Sequence, residues 1–451
     1  MNNRAFSILA AIVILTLGVI SVLYPELSSA ILIVTALSLA SLTVFRRYTD
    51  EKNFLTTLFL VALGVRLAFG IFVHLLDMRD FFGGDAITYD NNGWILAQFW
   101  SGQIGAGDFA VEKAIATNGS GWGMNYLVGG LYYLFGRNIL AAQSLCAVFG
   151  AATAPMVYYC SANLFSNKRV AKISAFAIAL FPSFIIWSSQ LMKDGLIIFL
   201  LVLAMTMVMQ LQKKFNYAAV LLLIFSMGGI ISLRFYIFYM VATAVAGSFL
   251  VGLNSSPQSM IRRFIILVIL GLGLTYLGVI RNANVTYERF GSLDRIQASR
   301  GDLARSAESG FGEDIDVSTT SGAISAIPIG FAYLMLAPFP WQVENFRQAI
   351  TLPEVLAWWA MIPFMISGLW YSIRHRLRST VPILIFSIML TLAYSIFQGN
   401  VGTAYRQRTQ IQVFLFIFVA VGWSLYKENR ENKALEIRNR KRILAERIRA
   451  N

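Results

Sequence analysis

Lys193-Asp194-Gly195-Leu196-Ile-Ile-Phe-Leu-Leu-Val-Leu-Ala-Met-Thr-Met-Val-Met-Gln-Leu211 decides the fold. No charge interrupts it between Asp194 and Lys213. An uncharged apolar run of about 17–25 residues is what a helix needs to cross the hydrocarbon core of a bilayer. The run is helical rather than extended because only helices and closed barrels satisfy every backbone group in lipid. The same pattern recurs on both sides of it. Ser7–Leu23, Ala30–Phe45, Leu55–Leu76, Ile139–Phe165 and Ala171–Ser188 precede it; Tyr217–Leu233, Tyr236–Leu253, Phe264–Ile280, Leu356–Tyr371, Val381–Phe397 and Ile411–Tyr426 follow it. The expectation is an all-α polytopic membrane protein with about twelve transmembrane helices. Gly322–Ala337 fits an interfacial or re-entrant element, and Gly121–Phe135 is a weaker apolar stretch.

Composition agrees. Of 451 residues 57% are hydrophobic and only 13% charged, against roughly a quarter charged in soluble domains, and the mean hydropathy is +0.64. A water-soluble protein is excluded. The net charge of +14 would suggest nucleic acid in a soluble chain, but here basic cytoplasmic loops and anionic lipid headgroups account for it, so no nucleic acid is expected as a partner. Cys146 and Cys160 lie in one apolar run and form no disulfide framework. Ser7–Leu23 follows Arg4 like a secretory signal, and Ser28-Ser29-Ala30 offers a small-residue site; the apolar run from Ile31 leads us to read a retained helix.

Arg46-Arg47, Lys168-Arg169, Lys213-Lys214, Arg262-Arg263, Arg374–Arg378 and the tail 427–451 fall on one side if the N-terminus is cytoplasmic. The tail, with nine basic and four acidic residues, is a membrane-surface or solvated helix. The chain then reads as one transmembrane domain, 1–426, carrying a large first extracytoplasmic loop (77–138) and a second polar loop (282–321) on the same side. Within the second loop, Gly301–Thr320 lacks sustained apolar periodicity and is expected to be a mobile stretch able to order around a substrate. The loop's mixed charges are also compatible with the inner side.

Chemistry should lie where polar residues gather outside. In Gly83-Gly84-Asp85-Ala-Ile-Thr-Tyr89-Asp90-Asn-Asn92, two glycines allow a sharp turn, and Asp85, Tyr89 and Asn92 then share a helix face. A carboxylate at the membrane boundary serves as a general base or as partner to a cation; the plain alternative is a solvated loop with aromatic anchors. Trp122 and Asn125 in Gly119–Tyr126 read chiefly as interface anchors. Pro182 loosens the helix end before Ser188, and Lys193-Asp194 opens the next helix. Lys193 can hold a phosphate as a point charge or merely snorkel; Asp194 can cap the helix. Arg234 beside Tyr236, and Arg406 and Arg408 in Gly399–Arg408, are cations on the side where positive charge is under-used. They suggest an anion site for a lipid phosphate or diphosphate, with snorkelling as the alternative. Pro338-Phe339-Pro340-Trp341 breaks any helix and marks a boundary turn or groove wall. Asp80, Asp85 and Asp90 could hold a divalent cation, Mg or Mn, with a diphosphate; clustered loop acids are also ordinary. His74 and His375 are too far apart in the topology to share a site.

Asp85 with Tyr89, the Pro182-containing helix end before Lys193-Asp194, Arg234-Phe235 and Pro338–Trp341 together resemble the GT-C superfamily of polytopic glycosyltransferases. The bacterial branch similar to protein O-mannosyltransferases and aminoarabinose transferases is the nearest in character. The resemblance spans roughly residues 55–410 through short motifs. It implies a sugar donor on a polyprenyl phosphate, reaction at the extracytoplasmic face of the plasma membrane, and Asp85 as base or metal partner. Lys193, Arg234, and Arg406 or Arg408 would meet the donor phosphate, and a glycan, lipid or protein hydroxyl would accept the sugar. Two features depart from the family. Three helices precede the loop, and Asp85 stands alone where a tight acidic pair is common. Arg234 and Arg406-Gln-Arg408 resemble equally the Wzy-type polysaccharide polymerases and O-antigen ligases, which use diphosphate-linked oligosaccharides. A lipid or glycan transporter is a further alternative, which repeated halves with discontinuous helices would favour; no such repeat is visible. Nor is there a Gly-rich nucleotide-phosphate motif.

Overall fold

The computed structural model describes Gly18 and residues 25–47, 51–117, 121–250, 292–305, 309–312, 314–343 and 345–450. Among these residues the protein is helical apart from one isolated backbone bridge. Seven helices are long and apolar enough to cross a membrane, and a bent pair makes an eighth. The chain is a multi-pass membrane protein. Of the twelve expected spans, Phe264–Ile280 and, but for Gly18, Ser7–Leu23 lie outside the described residues.

Helices α1 (Pro25–Arg47) and α2 (Lys52–Leu75) pack on the long α7 (Ile139–Phe165). Between them the first loop forms four short helices: α3 (Arg79–Phe82), α4 (Asp85–Trp100), α5 (Phe109–Ile115) and α6 (Trp122–Phe135). The weak stretch Gly121–Phe135 is thus α6, too short to span. It lies on α4, where a side chain at Gly93 would overlap Val128. Helices α8 (Lys168–Leu180) and α9 (Pro182–Ser188) are the expected loosened segment, bent by 54° at Phe181. Pro182 has no N–H for the Ile178 carbonyl four residues back. Arg66, wholly buried on α2, supplies the donors instead: Nη2 to Ile178 O (3.2 Å), Nη1 to Ala179 O (2.8 Å), and Nε to Ser188 Oγ (2.8 Å). A cation at this helix end also suits the dipole.

Helix α10 (Lys193–Lys213) is the most enclosed span and packs on α7 and on α11 (Tyr217–Leu250). A continuous 34-residue helix would be about 51 Å long, well beyond the ~30 Å hydrocarbon core. The backbone leaves helical geometry at Arg234 (φ −151°, ψ 90°), where the sequence separates two spans. The second polar loop is not structureless: α12 (Leu293–Arg305) forms within it. Buried Arg300 fixes this helix by donating to Ile396 O (3.1 Å) and Gly312 O (3.4 Å). The apolar α13 (Thr320–Leu336) ends before the proline-rich turn, where the Ala337–Pro338 peptide is cis. After the short α14 (Phe346–Ala349), α15 (Leu352–Phe397) breaks at Arg376 (φ −139°), again between two expected spans.

The last helix, α16 (Val401–Ala450), runs unbroken from the loop after α15 into the basic tail. It packs on α15 at very close range. A side chain at Gly368 would strike the Phe418 carbonyl, and one at Gly422 the Phe364 carbonyl, so each glycine lets the opposite backbone in. Both cysteines are free and buried.

Basic segments gather at one end. Glu51 takes Lys172 (2.8 Å) and Lys168 (3.5 Å), and Arg169 reaches Glu431 (3.4 Å). Arg406 precedes Glu431 by 25 residues on one helix, about 38 Å at 1.5 Å per residue. Lys193 and Lys213 are about 30 Å apart on α10 by the same rise. Two polar ends are therefore separated by about the thickness of a bilayer core.

Candidate active site

At the end opposite the basic segments lies a cavity of about 870 Å³. Its charged lining is Asp85, Lys193, Arg234, Arg347 and Arg406, and Phe81, Phe82, Trp187, Tyr236 and Tyr405 give it aromatic walls. Asp85 begins α4 immediately after Gly84, and its Oδ2 accepts from Arg406 Nη1 at 2.8 Å. The carboxylate keeps 40% of its side-chain surface exposed, so it is both paired and reachable.

Asp194, fully buried at the start of α10, makes no capping hydrogen bond. It holds Arg234 instead, Nη2 to Oδ1 at 2.9 Å, and Gln410 Nε2 donates to the same oxygen at 3.4 Å. Arg406 Nε stands 3.6 Å from Asp194 Oδ2. Arg406 thus bridges two carboxylates, one buried and one facing the cavity. The kink at Arg234 turns its guanidinium inward, where Nη1 donates to Tyr236 (3.1 Å) and Tyr394 (3.3 Å). Tyr394 in turn donates to Gln410 Oε1 at 2.7 Å. A buried arginine with this many acceptors is held as a charge and cannot snorkel.

Among the described residues Lys193 makes no salt bridge within 4 Å; its ammonium stands 5.8 Å from the ring centroid of Tyr89. Gly121, at φ +90°, leaves the room these two need, since a side chain there would meet Tyr89 Oη and Lys193 Nζ. Burial, with the Asp85 carboxylate nearby, raises the Tyr89 phenol above its usual range, so it is a neutral wall. Sequence reasoning did not single out Arg347, whose guanidinium lies over Phe81 at 5.1 Å on the cavity rim.

The second polar loop closes one side. Phe311 N donates to Gly399 O (2.8 Å) and Val401 N to Ser309 O (3.0 Å), which brings Ser299, Leu303 and Ser309 to the wall. Pro338 of the proline-rich turn also lines the cavity.

Asp85, Lys193, Asp194, Arg234, Tyr236 and Arg406 come together. Arg408 does not join them: it is buried behind the cavity, donating to Met335 O (3.1 Å) and Ala337 O (3.0 Å), with its guanidinium 4.9 Å above the Tyr405 ring. Helical periodicity separates it from Arg406 by about 200°, two steps of 100°. Asp90 also turns away, taken by Tyr132 and by Arg137, whose Nη2 lies 2.5 Å from its Oδ2. Among the described residues, Asp80, Asp85 and Asp90 form no joint set of metal ligands. Glu354, unnoticed in the sequence, is buried beside Ser183 and Tyr405. Its signal was a lone acid at the head of an apolar run.

The fold and cavity define a polytopic helical membrane protein with a chamber at one polar end, lined by four cations and one carboxylate among the described residues. Residues 121–279, about a third of the chain, match the family described as dolichyl-phosphate-mannose-protein mannosyltransferase. That match agrees with the resemblance to GT-C glycosyltransferases drawn from the residues. Similar solved structures include ArnT from Cupriavidus metallidurans bound to undecaprenyl phosphate, at 16% identity and a TM-score of 0.49, over 83% of this chain and 60% of that one. The Archaeoglobus fulgidus oligosaccharyltransferase in its apo form aligns at 14% identity and a TM-score of 0.48, over 87% and 52%. AglB of the same organism, with an inhibitory peptide and a dolichol-phosphate, aligns at 12% and 0.49, over 86% and 52%. The chain therefore spans three fifths or less of the length of these structures. No curated protein matches it.

Proposed function

We propose that the protein is a membrane glycosyltransferase that moves a sugar from a polyprenyl-phosphate donor to an acceptor hydroxyl at the extracytoplasmic face, in cell-surface glycan or glycolipid synthesis. The observation that carries this reading is the charge imbalance of the cavity. Among the described lining residues four cations face one carboxylate, and the buried Asp194 offsets only one more. The excess suits a phosphate held at the membrane boundary. The family match over residues 121–279 names a lipid-phosphate sugar donor of the same kind.

In this reading Lys193, Arg406 and Arg234 meet the donor phosphate, and Tyr236 sets the position of Arg234. Phosphate oxygens draw Arg406 from Asp85 and free that carboxylate to take the acceptor proton. The acceptor oxygen attacks the anomeric carbon, the bond to the phosphate oxygen breaks, and the charge gathering on the departing phosphate falls where the cations already stand. A divalent ion would meet the phosphate beside Asp85, the one carboxylate among the described lining residues.

The test is turnover by purified protein given polyprenyl-phosphate sugars, with Mg²⁺, Mn²⁺ or a chelator, read by mass spectrometry. We expect release of polyprenyl phosphate with a glycosylated acceptor. Asp85→Asn should cut turnover about 100-fold or more, as losing a general base does, while donor binding persists. Growth of a diphosphate-linked oligosaccharide would instead make the protein a polymerase or ligase.

A further inference from the structure

Behind the cavity, Ser183 of α9, Glu354 of α15 and Tyr405 of α16 meet in a closed triangle. Ser183 Oγ and Glu354 Oε1 are in hydrogen-bond contact, Ser183 Oγ lies 3.0 Å from Tyr405 Oη, and Tyr405 Oη lies 2.7 Å from Glu354 Oε2. All three residues are buried. Three oxygen–oxygen contacts need three protons, and the two hydroxyls supply only two. An ionised Glu354 would take both, leaving the Ser183 and Tyr405 oxygens facing each other with nothing between. Among the described residues Glu354 has no ion-pair partner within 4 Å, although a buried ionised carboxylate needs one. Arg408, the cation closest to the triangle, lies over the Tyr405 ring and donates to the backbone of residues 335 and 337. Glu354 sits in the first turn of α15, where an acid commonly caps, yet no side chain caps that helix.

We propose that Glu354 is a neutral carboxylic acid and a positioning residue for the cavity: it donates to Ser183, which donates to Tyr405, which donates back to Glu354. The ring ties α9 and α15 to the second turn of α16. Tyr405 precedes Arg406 directly, and Trp187 packs edge-on against it at 6.4 Å between ring centroids. The triangle therefore fixes how α16 presents Arg406 to Asp85 and Asp194. The positioning role rests on the proposed function; the protonation does not.

Two measurements separate them. Infrared difference spectra of wild type against Glu354→Gln should contain the carbonyl stretch of a protonated acid; a carboxylate signature in its place would overturn the proposal without touching the glycosyltransferase reading. Glutamine keeps the ring, its amide donating to Ser183 and its carbonyl accepting from Tyr405. Titration with polyprenyl phosphate, followed by tryptophan fluorescence, should therefore give Glu354→Gln an affinity within about twofold of wild type. Glu354→Ala should bind about tenfold more weakly, as expected for lost buried hydrogen bonds. Equal loss in both variants would overturn the neutral ring, and no loss in either would overturn the positioning role. If wild type itself fails to bind, the proposed function falls while the infrared result stands.

Discussion

Asp194 and Arg234 show how far a residue's meaning depends on what faces it. Alone, the sequence offers a helix cap and an arginine that either meets an anion or snorkels; together they are a buried ion pair at 2.9 Å. Breaking such a pair from one side strands a charge. Arg234→Gln should destabilise the protein by about 3–5 kcal/mol, lowering its midpoint of thermal unfolding in detergent. Asp194→Asn in the same molecule should recover part of that loss, and strict additivity of the two changes would contradict the coupling. Asp85, Lys193, Arg234 and Arg406 were legible because charged residues stand out in a polar-poor chain. Arg408 was misplaced because its nearness to Arg406 in sequence concealed that it faces the other way. Glu354 escaped because it stands alone at the head of an apolar run, and Arg347 because nothing in its short polar stretch places it at the cavity; only folding does.

At the level of helices, composition revealed spans more readily than their joints. Periodicity cannot show that α12 forms in a polar loop, since burial of Arg300 and backbone pairing with Gly399–Val401 hold it from outside. The breaks at Arg234 and Pro182 were readable, because a charge without a loop and a proline in an apolar run each interrupt a span. Arg66, one cation in an apolar stretch, gave no hint that it completes the broken helix 112 positions away. The α15–α16 contact depends on missing side chains. Gly422→Leu should force the helices apart and cost about 1–3 kcal/mol, the usual penalty of overpacking, visible as a lowered unfolding midpoint. A Leu at this position with wild-type stability would mean that the two backbones do not approach as described.

Across the whole molecule, polar chemistry is segregated to two ends about a bilayer apart. Which end faces outward is a proposal that labelling can decide. Cys146 and Cys160 are buried, so the background is low. Gln103→Cys, on an exposed turn of the first loop, should react with a membrane-impermeant maleimide in intact cells. Glu428→Cys, exposed on the tail, should react only after permeabilisation; the reverse pattern would place the cavity inside. The overall class was readable from the apolar runs, whereas the enclosure of the cavity depends on segments far apart in sequence.

One rod joins the two ends. Because α16 carries Arg406 near its start and continues without a break past Glu431, the cavity and the basic tail lie at opposite tips of a single helix. It is clamped at mid-length by the glycine contacts with α15. Such a body acts as a lever on a fulcrum. A tilt of the tail about those contacts would therefore be carried along the helix to Arg406.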